Sequence, residues 1–270
     1  MNTRLVLKTC ATRLLLWSAV SFAGEFEEGV AALNRGDHKT AIAMFTRIAN
    51  KGDAKAQHIL GLIYATGRGV PQDYNQAVSW YRKGAEQGYA DAQFSLGVAY
   101  AKGQGVPQDY NNAVLWSRKA AEQGLARAQY SLGVAYENGQ GIAQDYTQAV
   151  SWYRKAAEQG LAQAQYNLAL MYDAGRGVSQ DYTQAVSWYR KAAEQGLAPA
   201  QYNLALMYTN GQGVTQDYVE AYKWFHIFEA YSSDKDAQDA ATKGKNIVTE
   251  KMTPAQIAEA QKRGREWKKK

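Results

Sequence analysis

Apolar residues recur at steps of three and four through most of the chain, and this pattern itself returns every 36 residues. In the segment 126–161, Leu132 and Tyr136 lie on one face of a first predicted helix. Trp152 and Tyr153 belong to the apolar stripe of a second. The pattern therefore predicts a pair of amphipathic helices in every unit, and no strand-period segment competes with them.

Glycine and aspartate mark the ends of these predicted helices. Gly139 and Gly141 follow the first helix, and glycine adopts the left-handed conformation that ends a helix at least cost. Asp145 precedes the second helix with Gln148 three residues later, which is the spacing of a capping box. Gly160 ends the second helix. Each unit is thus predicted to be a helical hairpin.

The hairpins are copies of one another. The stretch Gln144–Ala162 returns letter for letter at Gln180–Ala198. Tryptophan holds the same place in five units, with a constant 36-residue step, at Trp80, Trp116, Trp152, Trp188 and Trp224. One hairpin cannot bury its apolar stripe alone, so neighbouring hairpins are expected to stack into an all-α solenoid. We expect the tryptophans to be structural and buried between units.

Two motifs carry a family resemblance. They read A-x-A-Q-x-x-L-G-x-x-Y-x-x-G-x-G-V and D-Y-x-x-A-x-x-W-Y-R-K-A-A-E-Q-G, and together they resemble the Sel1-like repeat (SLR), a relative of the tetratricopeptide repeat. Five copies match, starting at Ala54, Ala90, Ala126, Ala162 and Ala198. The departures are Ala169 and Ala205 in place of glycine, and Ser117 in place of tyrosine. The resemblance implies a right-handed α/α superhelix that acts as a scaffold or adaptor.

The first 23 residues do not fit the repeat. Arg4, Lys8 and Arg13 precede ten mostly apolar residues that end at Ala23, which is the pattern of a secretory signal cut near Ala23. Ten helical residues span about 15 Å, too short for a bilayer core. We expect an exported mature protein, periplasmic or secreted, without a membrane span. A mitochondrial-type transit peptide and a poorly ordered start are the alternatives. The only cysteine, Cys10, lies inside this segment.

The remaining organisation follows from the repeats. Residues 24–53 predict a tetratricopeptide-like N-terminal cap, residues 54–231 the five repeats, and residues 232–270 a C-terminal helical cap. In this last segment Ser233 and Thr253 are predicted to begin helices. Nine basic and three acidic residues lie between positions 243 and 270, so the basic charge belongs to the tail. The repeats lack the basic stripe that nucleic-acid binding requires, and we expect no nucleic-acid partner.

Residues with catalytic chemistry are scarce. The three histidines, His38, His58 and His226, fall in separate units without a second ligand at helical spacing, and we expect no metal or cofactor. Ser232 and Lys235 fit the Ser-x-x-Lys motif of penicillin-recognising enzymes, but the companion motifs are missing and a helix-capping serine explains the match better. We expect no enzyme. The alternative is a cell-wall or β-lactam-related hydrolase or binder, which the resemblance to some exported Sel1-like proteins implies.

What remains is recognition by the first helices. Two columns vary between units: Lys55, Asp91, Arg127, Gln163, Pro199, and then His58, Phe94, Tyr130, Tyr166, Tyr202. By resemblance to tetratricopeptide arrays, the second column lines a concave groove that binds a protein or peptide. Asn167 and Asn203 are expected to offer amide hydrogen bonds to that ligand. The alternative is that the column fills the seam between hairpins, although a core position would tolerate His58 poorly.

Overall fold

A computed structural model describes residues 24–232 and 234–268, all of which lie in helices, turns and loops. The expected signal peptide, residues 1–23, and the expected helix start at Ser233 lie outside the described residues. In the described part of the chain, no helix is long and apolar enough to cross a membrane.

The helices alternate with short turns along the whole described chain. Helix α1 covers residues 24–34. The following helices are α2 His38–Asn50, α3 Ala54–Thr66, α4 Tyr74–Glu86, α5 Ala90–Lys102, α6 Tyr110–Glu122, α7 Ala126–Asn138, α8 Tyr146–Glu158, α9 Ala162–Ala174, α10 Tyr182–Glu194, α11 Ala198–Asn210, α12 Tyr218–Tyr231, α13 Lys235–Thr249 and α14 Pro254–Glu266. Each predicted repeat contributes one first helix and one second helix of 13 or 14 residues.

The described part of the chain divides into two compact units, which meet between residues 123 and 124. In the first unit α2 packs on α3, α3 on α4, α4 on α5 and α5 on α6. In the second unit the same order runs from α7 to α12, and both α13 and α14 pack on α12. Within each unit every hairpin therefore stacks on the next, and the predicted all-α solenoid of helical hairpins is confirmed.

Aspartate fixes the start of every second helix. The carboxylate of Asp145 accepts a hydrogen bond from the backbone N–H of Gln148 at 3.0 Å, and Asp181 caps α10 in the same way. This is half of the predicted capping box, because the Gln148 side chain makes no reciprocal bond to the cap. The complete box forms where Thr253 precedes α14. The single aspartate bond already satisfies one of the backbone donors that a helix N-terminus leaves unpaired.

The two glycines of each Gly-x-Gly turn have different roles. Gly175 has a φ of +64° and ends α9 in the left-handed conformation, as the sequence predicts. Gly177 lies against the start of α8 in the preceding repeat, where an added Cβ would come within 2.3 Å of the Tyr146 carbonyl. The second glycine therefore permits a close backbone contact between repeats in addition to closing the turn.

Tyrosine rings of the second helices fill the centre of three of the five hairpins, at Tyr81, Tyr153 and Tyr189. Tyr153 and Tyr189 are fully buried. The Tyr153 ring lies so close to Gly133 that an added Cβ there would meet it at 2.6 Å. The equivalent small residue in the next repeat is Ala169, which is also fully buried. A small residue on the first helix thus makes room for a large ring on the second.

A ladder of glutamine pairs runs through the repeats, and in each pair a buried glutamine of the first helix accepts from a glutamine that follows the second helix. The Nε2 of Gln165 donates to the carbonyl of Ala157 at 3.1 Å, and its Oε1 accepts from Gln195 at 2.8 Å. The glutamine pairs at this position are Gln57–Gln87, Gln93–Gln123, Gln129–Gln159 and Gln165–Gln195. These bonds satisfy polar groups that burial would otherwise leave unpaired at considerable cost.

The glutamine ladder ends at the fifth repeat. Gln201 is fully buried and donates to the carbonyl of Ala193, but its Oε1 accepts no hydrogen bond. The position that supplies the donor in earlier repeats is occupied by Tyr231, which is 66% exposed and packs on Trp267 with ring centroids 5.5 Å apart. The array therefore changes its chemistry where the C-terminal cap begins.

The C-terminal cap consists of α13 and α14. Helix α13 begins at Lys235 with Asp234 as its cap, whose carboxylate accepts from the backbone N–H of Ala237 at 3.3 Å. Ion pairs fasten both helices to α12. Lys245 bonds to Glu229, and Arg263 bonds to Glu220 at 3.1 Å.

Candidate functional site

The first helices of the second unit share a regular surface, which we call the first-helix face. Each helix contributes three residues at positions i, i+4 and i+7, which form a line along the helix axis. All nine side chains are half-buried: Tyr130, Val134 and Glu137 on α7, Tyr166, Leu170 and Asp173 on α9, and Tyr202, Leu206 and Thr209 on α11. The face thus combines an aromatic column, an aliphatic column and a column that contains two acids.

The aromatic column predicted to bind ligand lies on this face, and the second helices support it from below. The Tyr130 ring is 5.8 Å from that of Tyr153, and the Tyr166 ring is 5.8 Å from that of Tyr189. Tyr202 packs on Phe225 at 5.6 Å. Each ring of the column therefore contacts the core with one side and retains exposed surface. The binding role of the column stays a prediction.

The column has a different environment in the first unit. His58 is only 9% exposed, its Nε2 lies 3.0 Å from the hydroxyl of Ser95, and its ring packs on Tyr81 and Tyr89. The argument that a core position would tolerate His58 poorly does not hold, because Ser95 in the next repeat provides a hydrogen-bond partner. Phe94 is half-buried.

The two asparagines expected to bind a ligand backbone lie beside tyrosines of the preceding hairpin. Asn167 lies near the hydroxyls of Tyr130 and Tyr153 and acts to lower their pKa against the larger effect of burial. Asn203 has the same effect on the pKa of Tyr166 and Tyr189 one repeat later. Both asparagine side chains are half-buried.

Two carboxylates complete the arrangement, and the sequence analysis did not single them out. The Tyr153 hydroxyl donates to Glu137 at 2.5 Å, and the Tyr189 hydroxyl donates to Asp173 at 3.2 Å. Burial, reinforced by the neighbouring carboxylate, holds the pKa of both tyrosines far above its usual value. A comparison across units would have revealed the acids, because the same column reads Ala65, Ala101, Glu137, Asp173 and Thr209.

The tryptophan ladder lies on the second helices. Trp152 and Trp224 are 9% and 3% exposed, and Trp80, Trp116 and Trp188 are half-buried. Trp188 packs against the core that contains Tyr189 and Leu204. A lysine ammonium lies over each of the first four rings, at 3.9–4.3 Å from the centroid: Lys83, Lys119, Lys155 and Lys191. The ladder thus joins core packing to cation–π contacts at the surface.

The polar groups that could support catalysis lie apart. Among the described residues no three histidine, cysteine or acidic side chains come close enough to hold a metal ion. The Ser232 hydroxyl accepts from the backbone N–H of Asp234 at 3.3 Å, and Lys235 is an exposed residue in the first turn of α13. Burial lowers the pKa of His226, and the neighbouring Lys245 adds to this effect. Ser232 thus takes part in a turn that precedes a helix.

Comparisons with known proteins agree with the geometry. A protective antigen of uropathogenic Escherichia coli that displays an SLR fold is 36% identical, with a TM-score of 0.81 over 93% of this chain and 54% of that one. This chain thus spans about half the length of that antigen. A Sel1 repeat protein from Oxalobacter formigenes is 32% identical, with a TM-score of 0.76 over 88% of this chain and 97% of that one. None of the curated proteins matches the chain significantly.

The repeat itself is matched by a family model. The model described as Sel1 repeat matches five consecutive segments, residues 54–89, 90–125, 126–161, 162–197 and 198–227. These segments begin at the five predicted repeat starts and cover more than half of the chain. The chain belongs to the Sel1 repeat family.

Proposed function

We propose that this chain is an exported scaffold that binds a protein or peptide partner through the first-helix face and catalyses no reaction. Sel1 repeat proteins are typically non-catalytic scaffolds, and their repeats generally mediate protein interactions. This family membership supports a binding function. The choice of surface rests on the geometry of the second unit.

The observation that carries the proposal is the contrast between the two kinds of helix. Helices α8 and α10 have identical sequences, whereas the half-buried face of the first helices keeps a tyrosine and varies at its third position, which is Glu137, Asp173 or Thr209. Rings with one packed and one exposed side offer rigid contact area at a low entropic cost. Rows that share a ring and an aliphatic residue and differ at the third position are suited to binding an extended partner.

The test is a binding comparison between matched tyrosine pairs. Purified chain is immobilised and exposed to an envelope extract, and partners captured by the parent chain are identified and then quantified for each variant. Tyr130→Ala with Tyr166→Ala should weaken capture by more than about 2 kcal/mol. The control is Tyr146→Ala with Tyr182→Ala, because these tyrosines are also half-buried but lie on second helices.

Two results separate binding from folding. Thermal unfolding of both double variants should leave the helical array folded at the binding temperature, so that the loss of capture is specific to the first-helix face. Equal loss of capture in both pairs, or none in the first pair, would assign the partner to another surface.

Export is a separate part of the proposal, and the basic and apolar pattern that ends at Ala23 supports it. Cleavage there gives a mature protein that begins near Gly24. Amino-terminal sequencing of native protein from cell fractions tests this directly. A chain that begins at Met1 or Asn2 and stays inside the cell would contradict export.

The hydrolase alternative has its own test. The Ser232 hydroxyl already bonds to the backbone of Asp234, which supports a structural role for this serine. Purified chain is expected to leave a chromogenic β-lactam and purified muropeptides intact. Turnover that is lost in Ser232→Ala would favour the hydrolase instead.

A further inference from the structure

Two carboxylates on the first-helix face lack a basic partner. In the part of the chain that the structure describes, neither Glu137 nor Asp173 forms a salt bridge, and the one side-chain donor to each is a tyrosine hydroxyl. Both are half-buried, so they have lost part of their hydration without gaining an opposite charge. A cationic group of a bound partner would supply the missing opposite charge.

The position of these acids in their helices strengthens the negative potential. Glu137 is the second-last residue of α7 and Asp173 is the second-last residue of α9. The C-terminal end of a helix carries the negative end of its dipole, where a carboxylate is unfavourable and a cation is favourable. The carboxylate and the helix terminus therefore attract the same kind of ligand group.

The basic residues of the neighbouring second helices are used elsewhere. Arg154 donates to the Tyr172 hydroxyl at 2.7 Å, and Arg190 donates to the Tyr208 hydroxyl at 2.6 Å. Lys155 and Lys191 lie over tryptophan rings. These contacts leave the two acids available to a partner.

An aromatic ring accompanies each acid. Tyr130 and Glu137 lie on one line of α7, and the charge of Glu137 adds to the effect of burial that raises the pKa of Tyr130. Tyr166 and Asp173 repeat the arrangement on α9. A ring face and a carboxylate together favour lysine or arginine, since each attracts a cation independently.

The spacing of the two sites limits the ligand further. Asn167 on α9 lies near Tyr130 on α7, so these first helices are neighbours, and neighbouring helices lie about 10 Å apart. A polyproline II helix has three residues per turn and rises about 3.1 Å per residue. Side chains three residues apart therefore point the same way and lie about 9 Å apart. The third row, with Tyr202, Leu206 and Thr209, carries no charge and suits an apolar residue.

We propose that the first-helix face of the second unit binds an extended basic peptide, with cationic side chains at every third position followed by an apolar one. Glu137 and Asp173 bind the two cations, and Tyr202 and Leu206 bind the apolar residue. This inference rests on the proposed function, because it names the chemistry of the partner at the same face.

The test uses the full chain and three synthetic peptides labelled for fluorescence anisotropy. The first has lysine, two prolines, lysine, two prolines and leucine. The second replaces both lysines by glutamate, and the third places the two lysines side by side. The first peptide should bind at least tenfold more tightly than either of the others at low ionic strength, and added salt should weaken it. Equal binding of all three would overturn the inference.

Charge-neutral variants locate the site. The double variant Glu137→Gln with Asp173→Asn keeps a side-chain oxygen that accepts from each tyrosine hydroxyl. It should weaken binding of the first peptide at least tenfold. The control Glu86→Gln with Glu158→Gln removes the same charge from exposed positions on second helices and should leave binding unchanged. Thermal unfolding of both variants checks that each remains folded. Equal weakening in both would show a non-specific charge effect and overturn the inference.

The two proposals fail in different ways. If the basic peptide does not bind, and partner capture still depends on Tyr130 and Tyr166, the partner is not basic and the proposed function stands. If capture is also independent of these tyrosines, the first-helix face is not the binding surface and both proposals fall.

Discussion

In the third and fourth repeats, the second helices are identical in sequence and the first helices are not. Helices α8 and α10 have the same thirteen residues and repeat the same contacts, including an aspartate cap and a lysine 3.9 Å from a tryptophan ring. Helices α7 and α9 keep the buried alanine, glutamine and leucine of the motif but differ at Ser131 and Asn167, Val134 and Leu170, and Glu137 and Asp173. The second helices therefore hold the array together, and the first helices can give each repeat its own surface.

Removal of a tyrosine ring from the centre of a hairpin should cause the largest loss of stability. Tyr153→Ala removes a fully buried side chain and should lower the free energy of unfolding by about 3–5 kcal/mol. Val134→Ala, on the half-buried face of the same repeat, should cost about 1 kcal/mol. Urea unfolding followed by circular dichroism measures both. Equal costs would show that the first-helix face is as much part of the core as the second helix.

A break in the glutamine ladder should cause a smaller loss of stability than removal of the Tyr153 ring. Gln165→Leu leaves the carbonyl of Ala157 and the amide of Gln195 without their buried partner, for a loss of about 1–3 kcal/mol. Gln201→Leu should cost less than half as much, because the Oε1 that it removes is already unpaired. The same unfolding experiment compares the two variants. A larger loss at Gln201 would mean that the ladder adds no stability within the array.

Alkaline pH should weaken the hairpins through their buried tyrosines. Burial raises the pKa of Tyr81 to about 12 from its usual 10, so the folded state holds this proton more tightly than the unfolded state. The contribution of Tyr81 to stability should therefore be constant below pH 10 and fall as the pH rises from about 10 to 12. Tyr81→Phe should flatten part of this decline in urea unfolding at several pH values. An unchanged decline would assign it to other groups, such as Tyr153 and Tyr189.

Repair of the glutamine ladder at its C-terminal end should have the smallest effect, and it should raise the stability of the fold. Tyr231→Gln places a donor where the earlier repeats have one, and should satisfy the Oε1 of Gln201. The hydrogen bond is worth about 0.5–1.5 kcal/mol and is partly offset by the lost ring contact with Trp267. A net gain of about 0.5 kcal/mol is expected. Tyr231→Ala is the control, since it loses the ring contact without supplying a donor, and a gain in both would exclude the ladder as the cause.

The repeat made the fold predictable. A strict 36-residue step fixes where each helix begins and ends, and Gly139 and Asp145 end and start helices as their chemistry predicts. The period alone does not show what lies across the gap between repeats. Contacts such as Gly177 against Tyr146, or Gln159 with the carbonyl of Gly124, join residues 31 or 35 positions apart. Their chemistry becomes apparent once the stacking geometry is known.

The candidate site was predicted less completely, for a physical reason. A half-buried column looks the same in sequence whether its rings face solvent or the core, and each tyrosine packs on the core with one side and keeps exposed surface on the other. His58 illustrates the difficulty, because its hydrogen-bond partner Ser95 lies 37 positions away. Glu137 and Asp173 were missed because a single acid in a helix is usually solvated, and their lack of a basic partner is a property of the folded chain.

The identical stretches 144–162 and 180–198 bear on how such a protein can change in evolution. A chain without residues 145–180 would join Gln144 directly to Asp181, and Gln195 would take the place of Gln159 beside Gln129. Every contact at the new junction would be of a kind that the array already contains. Loss or gain of a whole repeat therefore leaves the stacking contacts intact, and in-frame recombination can alter the number of repeats while it preserves the contacts between them.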